Sequence, residues 1–373
     1  MRFNHWFAVP VAVIAAGSLA AAGCGSSDSS STDTGASTGG GAKAGKVAVL
    51  LPDSKSSARW EGQDRPFFEK AFKKAGIDAT IVNAEGDPAA QRTQAEQAIT
   101  NGAKVLLLVN LDSGSGAAII ANAKKQGVKV IDYDRLTLKG GSDYYVSYDN
   151  TKVGKLQGAG LVDCLKAKGA TKPVVAELNG APTDNNATLF AEGYNSVLDP
   201  LYADGTYVKG PNQSVPEWDN QKALTIYEQM LAKTSNKIDG VLAANDGLGN
   251  AAIQAQKARK LPQIPITGQD ATAQGMQNIL SGDQCMTVYK SATGEVGAAA
   301  LLAIGLAKGQ APPKPTATVD NGTAKVPSVL LNPVAVNKAN IAALGKKIIA
   351  DGYLTRAEIC QGKYAPLCTK AGL

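Results

Sequence analysis

Short runs rich in Val, Ile and Leu alternate along the chain with longer stretches in which apolar residues recur every three or four positions. The runs at 46–51, 79–82, 105–109, 130–133, 174–178, 238–244, 264–268 and 286–289 are apolar on both faces, which predicts strands of a parallel sheet covered on both sides. The stretches at 67–75, 89–100, 117–126, 151–167, 189–198, 221–232, 248–258 and 273–281 predict the helices between them. The fold class is therefore α/β, built from right-handed βαβ units. A helix is also predicted at 339–350, in a tail for which the sequence offers no function.

The beginning of the chain has a different pattern. Arg2 precedes an apolar run at 7–16 that is interrupted by Pro10 and thins into Gly17 and Ser18. It falls short of the ~20 apolar residues that a spanning helix needs, so residues 1–23 are expected to be a cleaved export signal. Leu19-Ala20-Ala21-Ala22-Gly23-Cys24 resembles a bacterial lipobox, which makes Cys24 the expected lipidation site. The alternative is an ordinary secretory signal with Cys24 left over. Residues 24–45, nearly all small and polar, cannot offset the entropy of folding and are expected to form a flexible tether to the membrane.

The remaining body exceeds the size at which one core divides, so two lobes are expected. Their expected limits are 46–149 with about 291–316, and 150–290 with about 317–340, followed by a tail at 341–373. The Pro-rich stretch Ala311-Pro312-Pro313-Lys314-Pro315 is expected to connect the lobes. A formal charge of +6 without basic runs, and 5% aromatic residues, exclude a nucleic-acid-binding stripe. The one histidine, His5, lies in the expected signal, which excludes His-dependent nucleophilic triads and imidazole zinc sites. No metal or organic cofactor is implied. Cys164, Cys285, Cys360 and Cys368 are an even set in an exported chain, where disulfides persist. Three pairings are open; Cys360–Cys368 with Cys164–Cys285 is the expected one.

Polar residues gather just after the predicted strands: Asp134-Arg135, the Asn179 to Asn186 stretch, Asn245-Asp246, Gln269-Asp270 and Lys290. Ligands of open α/β sheets bind beyond the carboxyl ends of strands. Carboxylates, amides and guanidinium groups bond neighbouring hydroxyls in pairs, and an indole such as Trp60 or Trp218 covers the C–H face of a sugar ring. Several of these residues have simpler readings. Asp134-Arg135 could be a surface ion pair, and the Asn/Asp runs could cap helices. Gly247-Leu248-Gly249-Asn250-Ala251-Ala252 matches a dinucleotide fingerprint but does not follow its strand directly. Glycoside hydrolysis by two of Asp134, Asp246 and Asp270 is disfavoured, because Arg59, Arg135 and Lys290 are expected beside these acids and would keep them ionised.

Taken in order, Arg59-Trp60-Glu61-Gly62-Gln63-Asp64-Arg65, Tyr133-Asp134-Arg135, Ser147-Tyr148-Asp149-Asn150, Val153-Gly154-Lys155-Leu156-Gln157, Asp184-Asn185-Asn186-Ala187-Thr188-Leu189-Phe190, Asn245-Asp246, Gly268-Gln269-Asp270-Ala271 and Met286-Thr287-Val288-Tyr289-Lys290 resemble the type I periplasmic sugar-binding proteins of the ribose/galactose/xylose group. The resemblance runs from about residue 46 to 310. It implies two Rossmann-like lobes joined by a three-crossing hinge, acting as a monomeric, non-enzymatic binding component of an ABC-type importer whose membrane partner is the permease. It implies a free monosaccharide as ligand, D-xylose first. The alternative is glucose or another aldose, with a sensor also reading the protein. By position it assigns hydroxyl contacts to Arg59, Asp134, Arg135, Asn186 (or its neighbour Asn185), Asn245, Asp270 and Lys290, and aromatic walls to Trp60 and Trp218.

Overall fold

Five of the six residues of β1 (Lys46–Leu51) are buried, as a strand with neighbours on both edges and helices on both faces requires. The computed structural model describes residues 44–373. The expected signal at 1–23, the Cys24 lipidation site and the tether up to residue 43 lie outside the described residues.

After β1 come α1 (Arg65–Ala75), β2 (Ala79–Asn83), α2 (Pro88–Thr100), β3 (Ala103–Leu108), α3 (Ser113–Lys125), β4 (Lys129–Tyr133) and β5 (Tyr144–Tyr148). The chain continues through α4 (Asn150–Ala167), β6 (Val174–Asn179), α5 (Asn185–Ala203), β7 (Val208–Ser214), α6 (Asn220–Lys233), β8 (Gly240–Ala243), α7 (Asp246–Ala258), α8 (Ala273–Ser281) and β9 (Met286–Tyr289). It ends with α9 (Ala292–Ala307), β10 (Ala317–Asp320), β11 (Lys325–Leu331), β12 (Val334–Asn337), α10 (Ile341–Ala350), α11 (Arg356–Ile359) and α12 (Ala365–Ala371).

The first sheet has the order β10-β11-β5-β4-β3-β1-β2, parallel except where β10 meets β11. In the second layer β7-β6-β8 are parallel and β9 pairs antiparallel with β12. The run at 264–268 joins these two pieces: Thr267 N–H donates to the Val241 carbonyl, and Cys285 N–H to the Ile266 carbonyl. Only Ile266 forms a regular bridge. Pro262 and Pro265 flank it and have no N–H to extend a ladder, so this predicted strand is reduced to a single bridge.

The chain passes between the layers three times, from β5 to α4, from β9 to α9 and from β11 to β12. The expected second-lobe segment 317–340 is corrected here. Residues 317–331 form β10 and β11, and β11 pairs with β5 in the first sheet. The Pro-rich stretch leads from α9, which packs against the first sheet, into β10 of that sheet, so it does not cross between lobes. The third crossing lies at 332–333 instead.

Glycines set the helix pair that faces the cleft. A methyl group at Gly154 of α4 would overlap the Phe190 carbonyl of α5, and one at Gly193 of α5 would overlap the Thr151 carbonyl. The backbones therefore approach closely. This places Asn150, which opens α4, within 2.8 Å of Asn186 in the first turn of α5. Cys164 on α4 is bonded to Cys285 beside β9, with Cα atoms 6.4 Å apart, and Cys360 to Cys368 in the tail, 5.8 Å apart. Among the described residues no helix is long and apolar enough to cross a membrane.

Candidate functional site

Helix caps lie at three of the loops that face the cleft. Asp184 accepts from Asn186 N–H, Asn245 from Leu248 N–H and Ser291 from Gly294 N–H. The capping reading thus holds for Asp184 and Asn245, which leaves Asn186, inside α5, to point elsewhere. Its amide nitrogen donates across the cleft to the Asp134 carboxylate at 3.0 Å and to the Asp134 carbonyl at 3.1 Å.

A small cavity lies between the two layers. Arg59, Trp60, Asp134, Arg135, Asn186, Trp218, Asn245, Asp270 and Lys290 line it, so nine of the ten sequence-predicted residues converge. Asn185, half-buried at the start of α5, does not line it. Ser56, Asp184, Phe190 and Gln269 line the cavity as well; none of them was assigned a ligand contact from sequence. Asp184 and Phe190 open and close one quoted motif and Gln269 lies in another, but capping, core and contact roles look alike in sequence. Gln269 is buried, and its Oε1 has no partner in the protein. An acceptor left in that state costs free energy unless a ligand or water donates to it.

Three of the lining residues hold strained backbone. Asp134 (φ 62°), Trp218 (φ 57°) and Asp270 (φ 92°) adopt left-handed conformations, as do the neighbours Glu217 (φ 60°) and Ala271 (φ 48°). Such conformations persist in non-glycine residues when the surroundings over-determine them, and they cluster at binding sites. Trp218 is fixed by its indole N–H donating to Asp184 at 3.1 Å and by its ring lying directly over Gly180. Trp60 donates to Ser56 at 3.0 Å and carries the Arg59 guanidinium 4.7 Å from its ring centre.

The charges form one buried network. Arg59 donates to Asp64 at 2.7 and 2.8 Å, to Glu295 at 2.7 Å, to Asp134 at 3.0 Å and to Tyr133 at 3.0 Å. Lys290 lies 3.5 Å from Asp270 and 3.9 Å from Asp134. Arg135 lies 3.1 Å from Asp184 across the cleft, with its Nε–H not aligned for a hydrogen bond. Burial works to raise the Asp134 carboxyl, but Lys290, Arg59 and Arg135 outweigh it and hold Asp134 below its ordinary value. Burial works against the Lys290 ammonium, and Asp270 and Asp134 more than compensate. Glu295 differs: burial pushes its carboxyl up to about 8 despite Arg59. It is neutral over much of the range in which Asp134 is charged.

Asp246 departs from expectation. It was expected beside a cation, but its carboxylate accepts from Gln284, Thr287 and Thr272 at 2.7 to 3.0 Å. Burial pushes it to about 7. It does not line the cavity and instead ties the end of β8 to β9 and the 268–272 turn. Among the described residues no group of His, Cys, Asp or Glu could hold a metal ion.

Residues 47–311 match the family described as "Periplasmic binding protein domain". The chain is 37% identical to the D-xylose-binding periplasmic protein of Haemophilus influenzae over 84% of this chain and 92% of that protein. It is 37% identical to the protein of the same name from Escherichia coli K12, over 85% and 93%. A solved solute-binding protein of a carbohydrate transporter from Chloroflexus aurantiacus, in complex with D-glucose, superimposes with a TM-score of 0.76. It is 31% identical, and the match covers 84% of this chain and 97% of that one. With the three-crossing α/β architecture and a polar, indole-walled cavity at the strand ends, these matches establish that the chain belongs to the type I periplasmic sugar-binding protein family.

Proposed function

We propose that the cavity binds one free monosaccharide, D-xylose foremost, and that the protein delivers it to an ABC-type permease as a binding component without enzymatic activity. The observation that carries this reading is the cavity lining. Carboxylates, guanidinium, ammonium and amides from both layers surround a space walled by Trp60, Trp218 and Phe190. That inventory suits a ring of hydroxyls with an apolar face. Arg59, Asp134, Arg135, Asn186, Asn245, Asp270 and Lys290 are the hydroxyl contacts in this reading, and Gln269 joins them through its unpartnered oxygen. The 37% identical relatives named for D-xylose favour that sugar. The glucose-bound relative makes D-glucose the second reading.

The expected signal and the lipobox-like stretch support an exported, Cys24-anchored protein at the membrane surface, and in this reading it acts as a monomer. Sugar bridging the two layers favours the closed arrangement, which the permease then reads.

Trp60 and Trp218 are the only tryptophans of the body, since the third, Trp6, lies in the expected signal. Tryptophan fluorescence therefore reports the cavity directly. A saturable change with D-xylose, reduced in both Trp60→Phe and Trp218→Phe, is the expected result. No response to D-xylose, D-glucose, D-ribose or L-arabinose would reject the reading.

A further inference from the structure

The tail that sequence left without a role reaches a residue that lines the cavity. Tyr353, between α10 and α11, is buried, and its hydroxyl donates to the main-chain carbonyl of Asp270 at 2.7 Å. That bond is one of three that hold the main chain of Asp270 and Ala271 in the turn at the end of the bridging run. Asp270 N–H also donates to the Val288 carbonyl at 2.8 Å, and Ala271 N–H to the Thr287 hydroxyl at 3.1 Å. Asp270 and Ala271 are consecutive non-glycine residues with positive φ. A turn of this kind keeps its shape only while its hydrogen bonds hold.

Tyr353 is in turn held from both sides of the cleft. Its ring meets Tyr289 of β9 edge-on at 5.4 Å, and the Tyr289 hydroxyl donates to Asp351 at 2.9 Å. From the first layer, Gln63 Nε2 donates to the Tyr353 carbonyl at 3.3 Å, and Phe67 of α1 packs against the cluster containing Tyr353, Leu354 and Ile348. Gln63 belongs to the same short turn as Trp60. The Cys360–Cys368 bond closes the tail just beyond. One short segment therefore touches the Asp270 turn in one layer and the Trp60 turn in the other.

We propose that Tyr353 is a positioning residue for the ligand site, and that the tail is a strap that fixes the Asp270 carboxylate and couples it to the Trp60 side of the cleft. The proposal rests on the reading that Asp270 contacts a sugar. Tyr353→Phe keeps the ring contact with Tyr289 and removes only the hydroxyl.

The test titrates D-xylose by tryptophan fluorescence into wild type, Tyr353→Phe, Asp270→Ala and the double variant, with hydrogen exchange of the ligand-free proteins followed over 268–273. The expected result is a Kd about 3- to 10-fold higher for Tyr353→Phe, the scale of one hydrogen bond. No further loss is expected when it is added to Asp270→Ala, because the two act as one unit. Exchange at 268–273 should quicken in Tyr353→Phe. Gln63→Ala, on a half-buried side chain whose loss leaves the core intact, should raise Kd in the same direction by about 2- to 5-fold. Unchanged Kd in both Tyr353→Phe and Gln63→Ala would overturn the proposal, as would an equal loss from Tyr353→Phe in the Asp270→Ala background. Unchanged exchange at 268–273 would overturn it without any sugar present. Silence of the wild type toward D-xylose alongside faster exchange in Tyr353→Phe would leave the strap standing and remove the sugar reading.

Discussion

Asp134 illustrates how much each residue in the site is asked to do. Its left-handed backbone aims the carboxylate inward, its carbonyl accepts from Ser147 at 2.8 Å and from Tyr145 at 3.1 Å, and its side chain meets Arg59 and Asn186. The position was legible in sequence as a polar pair after a strand. So was the presence of Arg59 and Lys290 beside it; the further partners of Arg59 were not, because Asp64 and Glu295 reach it from a turn and from α9, 236 residues away in the case of Glu295, with no local pattern to mark them. Arg59, assigned a hydroxyl contact by resemblance, is already paired with Asp64, Glu295, Asp134 and Tyr133, so much of its donor capacity goes to holding the site itself. Asp270→Ala and Asn186→Ala should each weaken sugar binding by about 1.5–3 kcal/mol, measured by calorimetry, with thermal unfolding still cooperative. Glu295 gives a pH signature. Its carboxyl ionises at about 8 in the folded protein against an ordinary value of 4.5. Between those limits the folded state holds more protons than the unfolded one, so this group makes stability fall as pH rises. Asp246, at about 7, acts in the same direction. Asp134, held low, acts oppositely, and its contribution disappears as pH falls through its depressed value. Glu295→Gln, which imitates the neutral acid, should flatten the decline in melting temperature between about pH 5 and pH 8. An unchanged slope would show that Glu295 is not the group responsible.

Most helices and buried strands were legible as elements because burial on both faces, or on one stripe, writes a period into the sequence. Strands without that period escaped. β7 (Val-Lys-Gly-Pro-Asn-Gln-Ser) is a largely exposed edge carrying Gly and Pro, and β10 and β12 are short edge strands. β5, with the aromatic run Tyr-Tyr-Val-Ser-Tyr, is rich in strand-favouring residues but was not among the predicted strands. The Val153-Gly154 motif could be quoted from sequence, but its reason lies in three dimensions. Gly154 lets α5 approach so closely that Asn150 can hold Asn186. Gly154→Ala should therefore cost about 1–3 kcal/mol of stability in denaturant unfolding, as overpacking does, and also weaken sugar binding by shifting Asn186 and Phe190. A variant with wild-type affinity would separate the helix contact from the site.

At the scale of the molecule, the two-lobed α/β organisation and the location of the cleft at strand ends followed from rhythm and loop chemistry. The lobe limits did not, because β10 and β11 return to the first sheet after α9, and pairing partners leave no mark on a short exposed strand. Across the cleft the layers already meet through Arg135 with Asp184 and Asn186 with Asp134, so the described arrangement is a closed one. The Cys360–Cys368 bond stays within the tail, and the Cys164–Cys285 bond, within the second layer, closes a long loop, 121 residues in separation. Replacing both of these cysteines with Ser should lower unfolding free energy by about 2–4 kcal/mol while leaving the affinity for sugar nearly unchanged. The central claim is that this cleft closes on one aldose. Isothermal calorimetry of the purified protein with D-xylose, D-glucose, D-ribose and L-arabinose tests it most directly. The account expects one-to-one binding with D-xylose the tightest; a preference for D-glucose would correct the ligand, and no heat with any of the four would contradict the claim.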